Sequence, residues 1–335
     1  MNTFTLKTVV GAKFIAPPGG ARAGAVAAGL NLLGSGSRVW IKGVRRSGKT
    51  STLQEISRRF VGDCPDPSLA FRVDLADEGR ANPDVAGLVA ESLRAEILTS
   101  EAEGLEPLRA AVDQLRQQSL KALGEVARSW CAREGRLLLV AFDEVAGIAG
   151  NPLATEQANA VVDVLTDSGA AFMVGGPPRF DHLAPDSPLR RLFDPAYAVD
   201  LRPFGDDEIR AFEISYGVPD ASQAELRRLA GGHPYLMQLA CTQLHEGSMD
   251  AIGHKIAAGA NYRNMCIQDA WYESLQVQAQ LIGVATGSTQ AASERLRRLA
   301  SDGWLVREDS GQLAPPASAL MSGWLAQLTP RALSL

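Results

Sequence analysis

A glycine-bracketed segment near the start of the chain carries the most specific chemistry. Residues 43–50 read Gly-Val-Arg-Arg-Ser-Gly-Lys-Thr and fit the pattern GxxxxGK[ST]. Glycine lets backbone amides turn inward around phosphate oxygens, where a Cβ would obstruct them. Lys49 would bring a positive charge to the β- and γ-phosphates, and the Thr50 hydroxyl would ligate Mg²⁺. We therefore predict a P-loop that binds ATP with Mg²⁺, through Gly43, Arg46, Ser47, Gly48, Lys49, Thr50 and Ser51.

Two carboxylates follow the most apolar segment of the chain. Residues 137–142 are all apolar, and Asp143-Glu144 come directly after them. Asp143 is predicted to hold the magnesium with Thr50, and Glu144 to polarise an attacking water as the catalytic base. An acidic turn after a strand is common by itself. Its presence downstream of a P-loop is what favours a hydrolytic site.

These residues need strands and helices to position them. A strand is predicted over 37–42, leading into the glycine loop, and a helix over 51–60 beyond it. Strands alternating with helices imply an α/β fold with a parallel sheet covered on both faces. The other predicted strands are 67–74, 136–142, 170–174 and 197–201, and the other helices 20–33, 83–98, 106–133 and 155–167.

The pattern changes after Pro203. Helical periodicity continues over 206–216, 222–230 and 234–245 with no strand between, which predicts a small helical subdomain. Farther on, 292–299 is a predicted helix and 304–313, which contains Asp309-Ser310-Gly311, is a predicted hairpin.

The motifs together resemble a known family. Gly43 to Thr50, Asp143-Glu144 and Gly231-Gly232-His233-Pro234-Tyr235-Leu236 are similar to the additional-strand (ASCE) P-loop ATPases. Among these, the chain resembles the AAA-like and archaeal-type ATPases grouped as STAND, as does its Arg45-Arg46 pair. The resemblance implies a RecA-like core with a helical lid and a C-terminal winged helix. The domain boundaries would be 1–35 for an N-terminal segment, 36–204 for the ATPase core, 205–260 for the lid and 261–335 for the winged helix.

The resemblance also implies roles for residues outside the P-loop. His233 and Pro234 would contact the base or ribose, although a turn before a helix-starting proline is common in any protein. Arg190 and Arg191 lie where AAA-type proteins carry a catalytic arginine finger that acts in trans, although arginine pairs are usually solvated surface. The family often has a polar sensor after its fourth core strand. Here Gly175-Gly176 follow instead, which favours slow turnover.

The C-terminal segment leaves DNA binding open. Arg295, Arg297, Arg298 and Arg307 would meet phosphates or base edges if the winged helix entered a DNA groove. Acidic residues are interleaved with them, so the local net charge is near zero: Glu294, Asp302, Glu308 and Asp309. Winged helices of this ATPase group often pack against the nucleotide domain instead.

Composition limits the function classes. The 335 residues are 46% hydrophobic with a net charge of -5, which argues against a dedicated nucleic-acid coat protein. We see no signal peptide and no apolar stretch long enough for a bilayer, so a cytoplasmic protein without membrane contact is expected. The four cysteines lack metal-site spacing and are expected to be reduced: Cys64, Cys131, Cys241 and Cys266.

Three functional hypotheses follow. The first is an ATPase switch that couples nucleotide state to self-association or to a separately encoded effector protein. The second is a DNA-binding ATPase, similar in role to initiators or transposition regulators, that uses the winged helix on duplex DNA. The third is a nucleotide-binding scaffold that hardly hydrolyses ATP. The first is favoured because no second catalytic motif is visible in the sequence.

Overall fold

The chain divides into two compact units. The first contains Ala23–Lys42 and Lys49–Leu201, and the second contains residues 20–22, Gly43–Gly48 and the described residues from Arg202 onward. The computed structural model describes residues 20–44, 46–63, 68–79, 82–99, 105, 108, 120–133, 135–194, 196–244, 247–259, 262, 296, 305–307, 313–314, 318 and 320–321.

A five-stranded parallel sheet organises the first unit. Its strands are β1 (Val39–Lys42), β2 (Ser68–Asp74), β3 (Leu137–Asp143), β4 (Ala171–Gly176) and β5 (Tyr197–Asp200). They are ordered β2-β3-β4-β1-β5, so β4 separates β1 from β3. Because parallel strands end at the same edge, the sheet brings Lys42, Asp74, Asp143 and Gly176 to one edge.

Helices cover both faces of this sheet. They are α1 (Ala21–Gly34), α2 (Lys49–Asp63), α3 (Val85–Thr99), α4 (Leu120–Cys131) and α5 (Pro152–Asp167). Alternate side chains of β3 enter different cores, as the two-residue period of a strand requires. Val140 and Phe142 pack with α3, α4 and α5, whereas Leu139 and Ala141 pack with α1 and α2. This double burial explains why the whole segment is apolar.

The second unit contains four helices among its described residues. They are α6 (Asp206–Ser215), α7 (Asp220–Ala230), α8 (Pro234–Cys241) and α9 (Met249–Ala258). Helices α7, α8 and α9 contact one another and bury Leu226, Leu236 and Ile252. Helices are thus present where they were predicted, while the lid with bounds 205–260 stays a prediction.

The strands and helices predicted up to residue 245 are confirmed within the described residues, with shifted ends. Helix α5 begins at Pro152, before the predicted residue 155, because the Asn151 side chain caps it by accepting from Ala154 N at 3.2 Å. Helix α8 ends at Cys241 instead of residue 245. The next residue, Thr242, donates its hydroxyl back to Leu239 O in the last turn of the helix. The predicted helix 106–133 is confirmed over Leu120–Cys131, while 106–107 and 109–119 lie outside the described residues.

A short hairpin occurs where the wing was predicted. Strand β6 (Val306–Arg307) pairs antiparallel with β7 (Leu313–Ala314). Of the predicted recognition helix only Leu296 is described, and Arg295, Arg297 and Arg298 lie outside the described residues, as does the side chain of Arg307. The winged helix therefore stays a prediction. Throughout the described ranges, every helix is too short or too polar to cross a membrane.

Candidate nucleotide-binding site

The glycine loop lies between strand β1 and helix α2, as predicted. Strand β1 ends at Lys42 and α2 begins at Lys49, so Lys49, Thr50 and Ser51 form the first turn of the helix. The amides of a helix's first turn have no partners within the helix and favour an anion. Gly48 has a φ of 94°, and a Cβ placed on it would meet no atom within 4 Å among the described residues, its two chain neighbours aside. The backbone is thus open where the predicted motif requires a phosphate to approach.

Lys42 precedes the loop but serves a different purpose from Lys49. Its Nζ lies 2.9 Å from Asp200 Oδ1 and 3.1 Å from Asp181 Oδ2. Burial disfavours its charge, but the hydrogen bonds to both carboxylates outweigh burial and raise the pKa of Lys42. Lys42 is therefore paired with these two carboxylates at the carboxyl end of β1. Lys49, in contrast, lies at the N-terminus of α2.

Asp143 is the buried carboxylate of the first unit's sheet edge. Its side chain is fully buried at the end of β3. Oδ2 accepts from Arg72 Nη1 at 2.8 Å, and Oδ1 accepts from Glu144 N at 2.9 Å. The same Arg72 nitrogen lies 3.4 Å from Asp74 Oδ2. Asp143 therefore meets a cation even without a metal, because a buried carboxylate needs a charged or hydrogen-bonding partner.

Glu144 is exposed and has an unusual backbone conformation. Its φ of 51° and ψ of 37° are left-handed, which is uncommon for a residue other than glycine. Strand β3 ends just before it, and a 3₁₀ turn, Val145–Ile148, begins just after it. The bond from its amide to Asp143 holds this conformation. A strained residue next to a buried carboxylate is typical of a functional position.

Packing explains the missing polar sensor after β4. A Cβ at Gly175 would lie 3.2 Å from Asp143 Oδ1 and 2.9 Å from Leu53 Cδ1. A side chain at this position would require the end of the Leu53 side chain and the Asp143 carboxylate to shift. The close approach of β4 to Asp143 thus disfavours the side chain that the family pattern leads one to expect at this position.

The P-loop and the predicted lid contact each other within the second unit. The Arg46 guanidinium lies 4.0 Å from the centre of the Tyr235 ring, a cation–π distance. Tyr235 is buried in the first turn of α8, which begins with Pro234 after the N-cap residue His233. His233 is buried as well. The structure thus brings Arg46 to the His233-Pro234 turn, while Arg45 lies outside the described residues.

Arg190 and Arg191 both have partners in the first unit. They lie in a 3₁₀ turn, Pro188–Leu192, where Arg190 Nη1 donates to Leu183 O at 3.2 Å. Arg191 Nη2 lies 3.0 Å from Asp163 Oδ2, and its side chain is 65% exposed. An exposed ion pair of this kind is weak and breaks easily. Arg191 is therefore the more available of the two for contact with another molecule.

Sequence reasoning missed two arginines, Arg72 and Arg22. Arg72 interrupts the otherwise buried strand β2, and a charge inside such a strand demands a partner, so a signal was present. Arg22 is only 3% exposed although it lies in a Gly/Ala-rich stretch. Its acceptors are carbonyls far along the chain, those of Ser47 and Arg202, so no local pattern marks it.

The residues present fit a nucleotide with magnesium. Two buried polar atoms, Arg22 Nη1 and Ser47 Oγ, lack a hydrogen-bond partner among the described residues. Such atoms at the loop are suited to a polar ligand, since burying them unsatisfied is costly. The oxygens of Thr50 and Asp143 are the donor type that Mg²⁺ prefers. Thr50 and Asp143 are the residues that would hold the metal.

Comparison with known proteins identifies the fold. No family model matches the chain, and no curated protein does. A Walker-type ATPase of Pyrococcus abyssi is similar in structure, with a TM-score of 0.60, 17% identity and coverage of 91% of this chain and 95% of that one. At this identity the likeness shows the fold alone. The chain has the RecA-like P-loop fold that the motifs predicted.

Two replication proteins also appear among the similar structures. The Orc1 protein of Aeropyrum pernix in complex with DNA gives a TM-score of 0.47 at 12% identity, over 93% of this chain and 94% of that one. AMPPCP-bound DnaA from Aquifex aeolicus gives 0.46 at 12% identity, over 86% and 85%. These scores are too low to transfer any property to this chain.

Proposed function

We propose that the chain is an ATP-hydrolysing switch of the AAA or STAND type, which couples nucleotide state to self-assembly or to a separately encoded effector. The observation that carries the proposal is the shared sheet edge. Lys49 begins α2 directly after the glycine loop that follows β1, and Asp143 ends β3 of the same sheet with Glu144 directly after it. Phosphate binding and water activation both require this edge.

Each residue then has a role in the proposed reaction. The loop amides and Lys49 bind the phosphates and orient the γ-phosphoryl group. Magnesium, held by Thr50 and Asp143, would neutralise phosphate charge. Glu144, exposed at the end of β3, orients a water and accepts its proton as the water attacks. The arginine-finger role falls to Arg191, whose exposed ion pair a second subunit can displace.

The slow turnover predicted from the sequence favours a switch over a motor. A side chain at Gly175 would crowd Asp143, which disfavours a polar sensor at this position. The loop reaches the lid through Arg46 and Tyr235, so a change in the loop has a direct route to α8. Contact of His233 and Pro234 with the base or ribose would complete that route. A ligand shifts such an equilibrium only through a difference in affinity for the two states.

The decisive test compares the wild type with Glu144→Gln. The variant should bind ATP within about threefold of the wild type and hydrolyse it at least about 100-fold more slowly, because a general base contributes about that much. Glu156→Gln is the matched control, since Glu156 is an exposed residue of α5 away from β3. Equal, negligible hydrolysis in all three proteins would favour the scaffold hypothesis over an enzyme.

Self-assembly is tested with the same variants. Mass photometry of Glu144→Gln with ATP should show a larger species than with ADP, because the variant retains the triphosphate state. Arg191→Ala should reduce turnover only under conditions where the larger species forms. A single species with both nucleotides would leave coupling to an effector as the remaining form of the switch.

Duplex DNA is the alternative partner, and the β6–β7 hairpin at the predicted wing favours it. Fluorescence anisotropy with duplex DNA at increasing salt separates the alternatives. Phosphate contacts by several arginines would make the affinity fall steeply with salt. A switch without DNA contact should show no binding at about 150 mM salt, where nonspecific affinities are already weak.

A further inference from the structure

Arg22 is buried against the P-loop within the second unit. It lies in the first turn of α1 and is only 3% exposed. Its Nη2 donates to Ser47 O at 2.7 Å and to Arg202 O at 3.0 Å. A single guanidinium therefore joins the loop, residues 43–48, to the chain segment that leads into α6.

The surroundings of Arg22 hold it in place. Its carbon Cζ lies 5.5 Å from the centre of the Phe204 ring, and its backbone amide donates to Glu208 Oε1. Glu208 is itself buried, and its other oxygen accepts from Gly205 N at 3.0 Å. Buried and partly buried hydrogen bonds thus connect the N-terminus of α1, the loop and the start of α6.

Burying the Arg22 guanidinium is unfavourable unless specific interactions compensate for the lost hydration. Burial lowers the pKa of Arg22 to about 10, and the charge of Glu208 opposes this shift. Its Nη1 and the neighbouring Ser47 Oγ find no hydrogen-bond partner among the described residues. Both atoms belong to the same place, beside the loop, where a nucleotide is proposed to bind.

A second contact restrains the other side of the same turn. Arg46 has a left-handed φ of 58°, and its guanidinium stacks on Tyr235 of α8. Two consecutive loop residues are therefore restrained by two different elements: the backbone of Ser47 by Arg22, and the side chain of Arg46 by Tyr235.

We propose that Arg22 is a positioning residue that presets the P-loop for phosphate by fixing the Ser47 carbonyl. The proposal rests on ATP binding at this loop. A loop that is already ordered does not lose conformational entropy when the ligand binds, so its affinity for the ligand is higher. Arg22 thus acts through the loop backbone, and the Arg46–Tyr235 contact gives the loop a second fixed point.

The test compares Arg22→Gln and Arg22→Lys with Arg227→Gln. Arg227→Gln controls for lost stability, because it leaves the buried Glu213 of the second unit without its cation while Arg227 has no contact with the loop among the residues described. Arg22→Gln should weaken ATP about tenfold, the loss expected for one charged hydrogen-bonding group. Arg22→Lys, which keeps the charge but not the forked donors, should recover part of that affinity. Arg227→Gln should stay within about twofold of the wild type.

Hydrogen exchange of the peptide covering the loop, measured without nucleotide, isolates positioning from stability. Exchange at residues 43–50 should accelerate in Arg22→Gln and not in Arg227→Gln. Equal loop exchange in the two variants, or an unchanged ATP affinity in Arg22→Gln, would overturn the proposal. If Arg22→Gln does not fold, Arg22→Lys decides by the same two measurements. Failure of the wild type to bind ATP would refute the proposed function, whereas the exchange experiment would still test how the loop is held.

Discussion

Asp143 in the first unit and Glu213 in the second are both buried carboxylates paired with a partly exposed arginine. Glu213 receives two hydrogen bonds from Arg227, at 2.8 and 2.6 Å, one on each oxygen. Asp143 receives only one bond from Arg72, at 2.8 Å, and its other oxygen holds the Glu144 amide. The Arg72 nitrogen also approaches Asp74, at 3.4 Å.

We propose that the Glu213 pair is structural and that the Asp143 pair belongs to the predicted metal site. Glu213 accepts two parallel bonds from a single guanidinium, which fastens α6 to α7, whereas the two oxygens of Asp143 accept from two different groups. The Arg72–Asp143 pair is less exclusive, because Arg72 also approaches the carboxylate of Asp74. We therefore propose that Asp143 exchanges the Arg72 guanidinium for a metal ion, since Arg72 then keeps Asp74 as a partner.

Breaking the structural pair should have the largest effect on stability. Arg227→Gln leaves the buried Glu213 carboxylate without its cation, and we expect a loss of about 3 kcal/mol in the stability of the helical unit. Hydrogen exchange of the α6 and α7 peptides measures this loss locally. Arg228→Gln on the same helix, whose pair with Asp250 is exposed, should change it by less than about 0.5 kcal/mol.

Breaking the functional pair should have a smaller effect on stability and an added effect on metal binding. Arg72→Gln keeps a hydrogen-bond donor near Asp143, and Arg72 is 32% exposed, so we expect a loss of about 2 kcal/mol. Without the competing cation, the Mg²⁺ concentration needed for binding a fluorescent ATP analogue should fall several-fold. An unchanged Mg²⁺ requirement would make Asp143 a structural anchor like Glu213.

Removing the alternative partner of Arg72 should have the smallest effect. Asp74 is 48% exposed and lies 3.4 Å from Arg72, so Asp74→Asn should cost less than about 0.5 kcal/mol by denaturant unfolding. Its Mg²⁺ titration should shift in the direction opposite to that of Arg72→Gln, since Arg72 then depends on Asp143 alone. A shift in the same direction would contradict the proposed exchange of partners.

Local patterns were sufficient for the elements and for the main motifs. The apolar run before Asp143 predicted β3, and the glycine spacing predicted the loop ahead of Lys49, because both depend on neighbours in sequence. The strand order was beyond local reasoning. Placing β4 between β1 and β3 depends on how whole βα units pack, and only the family resemblance implied an additional strand.

Site residues were predictable only where a motif carries them. The position of Gly175 beside Asp143 depends on the register of neighbouring strands. The sequence therefore shows that a polar sensor is missing but not that Asp143 lies close to this position. Arg22 contacts carbonyl groups 25 and 180 residues away, and any residue supplies a carbonyl. Such contacts leave no trace in residue types. The Arg46–Tyr235 pair likewise depends on two segments distant in sequence.

The most direct test of the central claim is calorimetric titration of ATP with Mg²⁺ into the wild type, Lys49→Ala and Lys121→Ala. Lys121 is an exposed lysine of α4 and controls for the loss of one positive charge. The wild type and Lys121→Ala should bind ATP alike. Lys49→Ala should bind about 100-fold more weakly, as expected for a lost charge-assisted contact, with an unchanged circular dichroism spectrum. Unchanged ATP affinity in a folded Lys49→Ala protein would contradict the assignment of the P-loop.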